Sequence, residues 1–262
     1  MKQSILSALG HHPWAETLQH HTCVESTNDL AKKQADNGAP HGTVIIAEQQ
    51  TRGRGRMGRS FHSPADSGIY LSVILRPCCT ADKLMHLTCA TGVAMCNAVE
   101  STTGYRPGIK WINDLVAESR KLGGILTELS LAPDGTVRYA VVGIGINCNQ
   151  RTFPGELENI AISLKVATGK EIDRAALAAA MVTQLELMSN SLLSEKAVVM
   201  EQYRRDCVTL GREVTLLRAE QTVSATAIGL DDDGGLQVRY ADGSCGTVAT
   251  GEVSVRGLFG YC

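Results

Sequence analysis

The stretch TVIIAEQQTRGRGRMGRS, residues 43–60, decides the fold class, because it joins an apolar run to a loop with four arginines and three glycines. The glycines spell G-x-G-x-x-G, which in dinucleotide-binding folds precedes a helix whose N-terminus faces phosphate. Residues 53–60 also resemble a P-loop, with Arg59 in place of the lysine. Here Pro64 and Gly68 predict that residues 60–68, SFHSPADSG, form a loop, and IYLSVILRP, residues 69–77, is typical of a strand. A loop and a strand thus follow the glycines, which argues against both nucleotide-binding folds.

The arginine-rich loop therefore needs another interpretation. Its glycines predict flexibility, and its guanidinium groups suit carboxylate and phosphate oxygens, which they hold through two parallel hydrogen bonds. Two simpler interpretations stay open at this point: a solvated basic loop, or an RGG-like patch for nucleic acid.

The composition indicates that this loop is a local feature. The chain has 262 residues, 44% of them hydrophobic, and can hold one large domain plus a small one. Its 25 basic and 27 acidic residues give a net charge of −2, which does not support a general nucleic-acid-binding surface. No apolar run approaches the roughly 18 residues of a membrane span. We therefore expect a cytoplasmic protein with a small anionic ligand.

The nine cysteines include no C-x-x-C pair, and their spacing is irregular. Disulfide and zinc frameworks use even counts or paired spacings, so most of these cysteines are predicted to be buried thiols. Cys89 and Cys96 lie seven positions apart in a predicted helix, which places both on its core face.

The middle of the chain alternates between helical and strand patterns. Ser26 precedes a predicted helix, STNDLAKKQADNG, which Gly38 ends. Apolar residues recur every three or four positions over residues 82–102, which predicts a long helix. GIKWIND, residues 108–114, is predicted to be a strand, and KLGGILTELSL and TVRYAVVGIGINC are predicted to form a hairpin around PDG. Residues 159–207 are predicted to be mainly helical.

The two ends of the chain differ from this pattern. Residues 1–20 form a predicted lead-in, which is too short for a winged or helix-turn-helix DNA-binding domain. From residue 211 the sequence changes to short alternating segments, REVTLL, TVSATAIGL, LQVRYA and GTVATGEVSV. Such segments predict a small all-β barrel. The predicted division is a lead-in over 1–20, a main domain over 21–208 and a C-terminal domain over 211–262.

Four segments carry polar residues that an ordinary core does not need, and the predicted sheet can bring them together. They are Ser26 through Asn28, Gln49 through Arg59, Lys110 through Asp114, and Lys121 through Gly124. Polar groups at a strand end beside a glycine loop commonly line a ligand crevice. Two lysines, several arginines and one aspartate suit a highly anionic ligand, which points to a nucleotide, with Asp114 a candidate ligand for Mg²⁺.

The order and spacing of these segments resemble those of biotin–protein ligases. The matching elements are ESTN (25–28), GRGRMGR (53–59), KWINDL (110–115), KLGGILTE (121–128) and GIGIN (143–147). GRGRMGR is the most specific of them. The resemblance implies an α/β (α+β) catalytic domain with a central mixed sheet, as in the class II synthetase-like biotin and lipoate ligases, and an SH3-like all-β C-terminal barrel.

The resemblance also implies a two-step reaction. Biotin and Mg-ATP, bound as substrates and not as a prosthetic group, give biotinyl-5′-AMP. A lysine of a biotin carboxyl carrier domain, as in acetyl-CoA carboxylase, then takes the biotin. A carboxylate at neutral pH resists attack by an amine, so it is first joined to AMP as a mixed anhydride. Such an enzyme needs cations and not a nucleophile of its own.

Individual residues are assigned by the same resemblance. Arg56 and Lys121 are implied as the catalytic residues, which hold the carboxylate and the α-phosphate during attack. The implied biotin contacts are Ser26, Thr27, Asn28, Gln49, Gly53, Arg54, Arg56, Lys121, Gly123 and Gly124. The implied ATP contacts are Arg56, Arg59, Lys110, Asn113, Asp114 and Asn147, with Asp114 also implied as the Mg²⁺ ligand.

Three residues depart from the family pattern. Ile112 stands where the family has proline, Met57 where an arginine occurs, and Phe61 where a tryptophan occurs, which bears on how the nucleotide packs. The short lead-in resembles the monofunctional type, which is not expected to bind DNA, and a homodimer stays open. Two other functions compete: a lipoate- or octanoate-type ligase of the same superfamily, and nucleic-acid binding by the RG-rich loop. The complete loop favours biotin, and 4% aromatic residues leave few stacking platforms for nucleic acid.

Overall fold

The computed structural model describes residues 1–218, 221–249 and 254–257. Two β-sheets organise this part of the chain, one mixed and seven-stranded, the other antiparallel and five-stranded. The strands of the larger sheet are β1 Leu18–Val24, β2 Thr43–Gln50, β3 Gly68–Leu75, β4 Gly108–Lys110, β5 Asp114–Ala117, β6 Arg120–Leu131 and β7 Val137–Asn147. The helices are α1 Lys2–Leu9, α2 Thr27–Asp36, α3 Leu87–Thr103, α4 Leu164–Thr168, α5 Arg174–Ser191 and α6 Lys196–Asp206. The smaller sheet contains β8 Glu213–Arg218, β9 Gln221–Leu230, β10 Leu236–Tyr240, β11 Cys245–Val248 and β12 Ser254–Gly257.

The larger sheet confirms the predicted central mixed sheet. Its strand order is β1-β2-β3-β7-β6-β5-β4. β1 and β2 run parallel because α2 crosses over between them, and the other neighbouring pairs are antiparallel. The predicted hairpin of β6 and β7 is also confirmed, and its turn uses Gly135 at a φ of 81°, a left-handed conformation that favours glycine.

Helices cover both faces of this sheet. Side-chain alternation sends Val44 and Ile46 of β2 into the main core and Ile45 into a smaller core on the opposite face. α3 and α5 pack on the first face, with α1 against α5 and α6 against α3. Ala31 and Ala35 of α2 close the second face. β2 is therefore buried on both sides, which accounts for its continuous apolar run.

The predicted long helix is present as α3, but it starts later than predicted. A 3₁₀ turn over Ala81–Leu84 comes first, and the α-helix begins at Leu87 after the N-cap His86. The helix does bury Cys89 and Cys96 as predicted. The three helices α4, α5 and α6 likewise confirm that residues 159–207 are mainly helical.

The prediction of one strand over residues 108–114 is wrong. β4 ends at Lys110, residues 111–113 form a turn, and β5 begins at Asp114, so that Lys110 and Asp114 pair across the reversal. The Asn113 carbonyl and side-chain amide both form hydrogen bonds with the backbone of β6. Contacts far along the chain thus override the strand propensity of this apolar segment.

The C-terminal sheet confirms a small all-β unit after residue 211. Its strands lie in the order β11-β10-β9-β8-β12, with antiparallel neighbours. The predicted segment GTVATGEVSV, residues 246–255, is described at both of its ends, while residues 250–253 lie outside the described residues. The same holds for residues 258–262 of the predicted C-terminal domain.

A buried ion pair joins the start of α5 to β2 of the larger sheet. Arg174 Nη1 and Nη2 lie 2.9 and 3.0 Å from Glu48 Oε2, and His20 Nε2 lies 2.7 Å from Glu48 Oε1. Arg174 also donates to the Gly68 carbonyl at 3.0 Å, at the start of β3. The side chains of Glu48 and Arg174 are only 13% and 14% exposed. Burial opposes ionisation of Glu48, but the hydrogen bonds from His20 and Arg174 outweigh it and hold its pKa below the ordinary value.

We predict that Glu48→Gln lowers the free energy of unfolding by on the order of 3 kcal/mol at neutral pH, because it leaves the buried Arg174 with only the exposed Asp66 as a charge partner. A carboxylate with a lowered folded-state pKa stabilises the protein at neutral pH and loses that effect as the pH falls through this pKa. The difference between wild type and variant should therefore shrink below the ordinary glutamate pKa of about 4.3. Urea denaturation at neutral and acidic pH measures both effects.

The exposed pair of Glu118 and Arg120, at 2.7 Å, supplies the control. Glu118→Gln should cost less than about 1 kcal/mol. Equal losses in the two variants, or a Glu48→Gln deficit that does not change with pH, would contradict this role of the buried pair.

Candidate active site

The start of α2 meets the end of β2 in a set of buried polar side chains. Ser26 is the helix N-cap, as predicted, and its hydroxyl accepts from the Asp29 backbone N–H at 3.4 Å. The Thr27 backbone N–H donates to Gln50 Oε1 at 2.8 Å, and the Thr27 hydroxyl lies 3.0 Å from the same oxygen. Ser26 and Thr27 are both buried. The first turn of α2 thus presents its polar groups to the end of the neighbouring strand.

The glutamine of this set is Gln50, which corrects the choice of Gln49. Gln49 is exposed, whereas the Gln50 side chain reaches Thr27 and donates to Ser63 Oγ at 3.0 Å. Successive side chains of a strand point to opposite faces, so only one of two adjacent glutamines can face the site. Because β2 is buried on both faces, the sequence TVIIAEQQ shows no alternation from which this choice could have been made.

Asn28 lies at the centre of these polar contacts. Its Oδ1 accepts from Ser72 Oγ at 2.6 Å, and Ser72 Oγ lies 2.8 Å from Thr27 Oγ1. A Cβ at Gly143 of β7 would overlap the Asn28 amide. The first glycine of GIGIN therefore leaves the space that Asn28 fills. Ser72 and Gly143 were not among the predicted site residues.

Lys121 and Asp114 form the charged centre of the site. Lys121 Nζ lies 2.7 Å from Asp114 Oδ1, across the β5–β6 pair. Lys110 pairs directly with Asp114 across β4 and β5, so both side chains point to the same face. A Cβ at Gly124 would lie 3.3 Å from Lys121 Nζ and 3.5 Å from Asp114 Oδ1. The predicted Lys121 and Asp114 thus meet where Gly124 leaves room for them, and Lys110 lies on the same face of the sheet.

Arg56 reaches this centre from the arginine-rich loop. Its Nη1 donates to Asn113 Oδ1 at 3.3 Å, and Asn113 Nδ2 donates to the Ile125 carbonyl at 2.9 Å. Burial lowers the pKa of the Arg56 guanidinium, while Asp114 raises it and Arg59 lowers it further. The guanidinium stays protonated in any protein environment. Arg56 therefore brings a partly buried positive charge to the side of Asp114 and Lys121.

The arginine-rich loop has a closed base and an exposed tip. The Phe61 N–H donates to the Gly53 carbonyl at 2.9 Å, and the Gly55 N–H to the Arg59 carbonyl at 2.7 Å. Between them, a short 3₁₀ turn carries Met57 at a φ of 56°, with 64% of its surface exposed. Flexibility was predicted for the whole loop, but these backbone hydrogen bonds restrain its base.

Phe61 extends from this base over the glycine-containing end of β7. A Cβ at Gly145 would run into the Phe61 ring. The ring packs edge-on against Tyr70, with centroids 6.4 Å apart, and its centroid lies 6.0 Å from Lys121 Nζ. Phe61 therefore forms an apolar wall beside the charged centre around Lys121.

Three predicted contacts occupy other positions. The Arg54 guanidinium lies 2.5 Å from Asp29 Oδ1 and 3.3 Å from Glu128 Oε1, among acidic groups. Arg59 is exposed on the loop. Asn147 is buried and donates to the Ile162 carbonyl at 3.2 Å. In this conformation the Asn147 side chain holds the backbone of residue 162, and the Arg54 guanidinium lies in the acidic pair of Asp29 and Glu128.

The described residues group no three His, Cys, Asp or Glu side chains in a way that could hold a metal ion. Among them the carboxylate of Asp114 faces Lys121 and not a second carboxylate. Within the same part of the chain, none of the helices combines the length and the apolar character that crossing a membrane requires.

Sequence comparison relates the chain to one family over most of its length. Residues 21–147 match the biotin/lipoate A/B protein ligase family, and residues 209–256 match the biotin protein ligase C-terminal domain. The bifunctional ligase/repressor BirA of Bacillus subtilis is 37% identical over 232 residues, which span 86% of this chain and 70% of that protein. The biotin–[acetyl-CoA-carboxylase] ligase of Mycobacterium tuberculosis is 33% identical over 217 residues, 80% of this chain and 79% of that protein.

Structure comparison agrees with this relationship. The biotin protein ligase of Aquifex aeolicus in complex with biotin and ATP superposes with a TM-score of 0.77 at 29% identity, over 92% of this chain and 98% of that one. The fold, both matched regions and the extent of sequence identity lead to one assignment: the chain belongs to the biotin protein ligase family.

Proposed function

We propose that this chain activates biotin with ATP to biotinyl-5′-AMP and transfers the biotin to a lysine of a biotin carboxyl carrier domain. The observation that carries the proposal is the convergence of Lys121, Asp114 and Arg56 beside the polar set of Thr27 and Gln50. One end of this arrangement suits a neutral polar ring, and the other suits phosphate. Members of the same family carry the name biotin–[acetyl-CoA-carboxylase] ligase, in Mycobacterium tuberculosis and in Paracoccus denitrificans.

The polar set suits biotin. Hydroxyl and amide groups at the start of α2 offer both donors and acceptors to a ureido ring, and Phe61 offers an apolar wall to the rest of the molecule. The proposed biotin contacts are Ser26, Thr27, Asn28, Gln50, Gly53, Arg56, Lys121, Gly123 and Gly124. Gln50 replaces Gln49 in this set because of its contact with Thr27.

The charged centre suits the chemistry of activation. The biotin carboxylate attacks the α-phosphorus of ATP, an acyl–phosphate bond forms, and diphosphate leaves. Lys121 and Arg56 stabilise the negative charge that gathers on the phosphate oxygens, in a partly buried site where such contacts are strong. In the second step the carrier lysine amine attacks the activated carbonyl, an amide bond forms, and AMP leaves.

The proposed nucleotide contacts are Arg56, Arg59, Lys110, Asn113, Asp114 and Asn147. Magnesium suits this site as a companion of the ATP phosphates, whose oxygens are its preferred ligands. Asp114 is the carboxylate that we place beside these phosphates. Because Asp114 also contacts Lys121, we propose that it provides one magnesium ligand and that phosphate oxygens provide others. Independence from DNA and a cytoplasmic location stay predictions, and the choice between monomer and homodimer stays open.

The test of the proposed function is biotin-dependent exchange of labelled pyrophosphate into ATP. Exchange with biotin but not with lipoate or octanoate supports the biotin reaction. Exchange with lipoate or octanoate alone would instead support the related acyl-protein ligase. Salt-sensitive retention of nucleic acid without any exchange would support the nucleic-acid-binding alternative.

We predict that Lys121→Ala slows adenylate formation by on the order of a hundredfold or more, the effect of losing one preorganised electrostatic contact. Single-turnover measurements with biotin and ATP separate this step from transfer. Lys83→Ala, which removes an exposed lysine paired with Asp82, is the control and should behave as wild type. Normal adenylate formation combined with slow transfer would refute the role of Lys121.

We predict that Arg56→Gly releases biotinyl-5′-AMP roughly tenfold to a hundredfold faster than wild type. The substitution removes charge-assisted hydrogen bonds worth about 1.5 to 3 kcal/mol and loosens the loop, and each 1.4 kcal/mol is about a factor of ten. With biotin, ATP and a bystander protein, the variant should label bystander lysines more than wild type does. Arg52→Gly on the same loop is the control, since Arg52 is exposed. Unchanged bystander labelling and an unchanged release rate would show that Arg56 does not retain the adenylate in the site.

The C-terminal unit supports the nucleotide side of the site through Trp111. The Trp111 backbone N–H donates to Thr209 Oγ1 at 2.9 Å, and its Nε1–H donates to the Gly234 carbonyl at 2.8 Å. The next residue accepts from Tyr203 of α6 at 3.1 Å. The turn over residues 111–113, which carries Asn113, is therefore held from behind by the C-terminal part of the chain.

We predict that Trp111→Phe raises the KM for ATP about fivefold and leaves the Kd for biotin unchanged, because it removes one buried hydrogen bond worth about 1 kcal/mol. Trp14→Phe is the matched control, because Trp14 lies beside Gly42 at the start of β2, whereas Gln50 of the site lies at the end of that strand. This variant should change neither constant. Equal changes for ATP and biotin would instead indicate general destabilisation.

A further inference from the structure

An acidic socket receives Arg54 at the base of the arginine-rich loop. The socket consists of Asp29 on α2 and Glu128 on β6, at 2.5 and 3.3 Å from the guanidinium. Lys32 bridges the same two carboxylates, at 3.0 Å from Asp29 and 2.9 Å from Glu128. Isolated ion pairs at a surface contribute little, but several charges that share partners fix one another's positions. The base of the loop is thereby tied to two separate elements of the fold.

Glu128 also contacts the inside of the site. Its Oε2 accepts from Asn28 Nδ2 at 3.0 Å, and the Leu126 carbonyl accepts from the same amide nitrogen at 3.2 Å. Asn28 is only 4% exposed, while the Glu128 side chain is 23% exposed. One carboxylate therefore joins a surface ion-pair network to a buried amide.

The contacts of Glu128 decide the orientation of Asn28. An ionised carboxylate only accepts hydrogen bonds, so it fixes the amide with Nδ2 toward β6 and Oδ1 toward Ser72. Gly143 lies beneath the amide and leaves no room for any larger residue. Burial opposes ionisation of Glu128, but hydrogen bonds from Lys32 and Asn28 hold its pKa below the ordinary value. The carboxylate is therefore charged at neutral pH.

We propose that Glu128 is a positioning residue that couples Arg54 at the base of the arginine-rich loop to Asn28 and Thr27 in the biotin pocket. The proposal rests on the proposed function, which places biotin beside Thr27. Glu128 does not touch the substrate. Its carboxylate binds Arg54 of the loop and accepts from the Asn28 amide of the pocket, so that loop closure and biotin binding reinforce each other. Arg54 accordingly acts through its socket and not as a direct biotin contact.

The test compares Glu128→Gln with Glu118→Gln, the exposed glutamate on the turn before β6. Glu128→Gln keeps the size of the side chain and removes the charge that binds both Arg54 and Asn28. We expect the Kd for biotin, measured by calorimetry on the full chain, to rise about tenfold, which corresponds to about 1.4 kcal/mol. The KM for ATP in pyrophosphate exchange should stay as in wild type. Glu118→Gln should leave both constants unchanged.

A second variant separates the two contacts of Glu128. Asp29→Asn weakens the socket for Arg54 and leaves the bonds between Glu128 and Asn28 in place. We expect it to accelerate dissociation of biotinyl-5′-AMP about threefold to tenfold, measured by chase with unlabelled adenylate, with a smaller change in the Kd for biotin. Salt should accelerate this dissociation in wild type more than in Asp29→Asn, since the ion pairs are screened.

The outcomes that overturn the proposal are specific. An unchanged Kd for biotin in Glu128→Gln rejects the coupling to the pocket, and an unchanged release rate in Asp29→Asn rejects the socket. Equal weakening of biotin and ATP together with a lower melting temperature in Glu128→Gln shows a merely structural role. A wild-type protein that neither binds biotin nor exchanges pyrophosphate defeats the proposed function itself, which keeps the two failures distinct.

Discussion

The site depends on the absence of side chains at four positions of two neighbouring strands. Gly123 and Gly124 of β6 pair with Ile146 and Gly145 of β7. Gly143 lies two residues before Gly145 on β7. A side chain at Gly143, Gly145 or Gly123 would collide with Asn28, the Phe61 ring or the Gly145 carbonyl, and one at Gly124 would crowd Lys121. The exposed backbone that results lets α2, Phe61 at the end of the arginine-rich loop, and Lys121 approach one another. A central sheet would otherwise fill this space with apolar residues, as it does elsewhere along β7.

The second organising feature is the pairing of cations with acidic or amide groups before any substrate arrives. Asp114 holds Lys121, Asn113 receives Arg56, and Asp29 receives Arg54. Fixed partners set the direction of each long side chain, so less reorganisation is required when charge develops on a ligand. The two carboxylates also offset part of the repulsion among positive charges that share a small volume.

Much of the fold could be predicted from the sequence, because β2, β3 and the β6–β7 hairpin have strong strand patterns and marked turns. The predicted polar segments also lie close together, as the contacts of Arg56 with Asn113 and of Lys121 with Asp114 show. The prediction named Gln49, whereas the side chain that contacts Thr27 is Gln50. Which of two adjacent glutamines faces the site depends on the phase of β2, which the sequence does not reveal. The partners of Arg54 were not predictable, since Asp29 and Glu128 lie 25 and 74 residues away and only the folded sheet brings them together.

The link between Trp111 and the C-terminal unit also sets an order of events during synthesis. Thr209 and Gly234, which receive its two N–H groups, follow it by 98 and 123 residues. Chains fold from the N-terminal end as they leave the ribosome, so the larger sheet can assemble while the support behind residues 111–113 is still missing. The final sheet to emerge is thus the one that completes this turn. A chain interrupted before Gly234 therefore lacks part of the support for that turn.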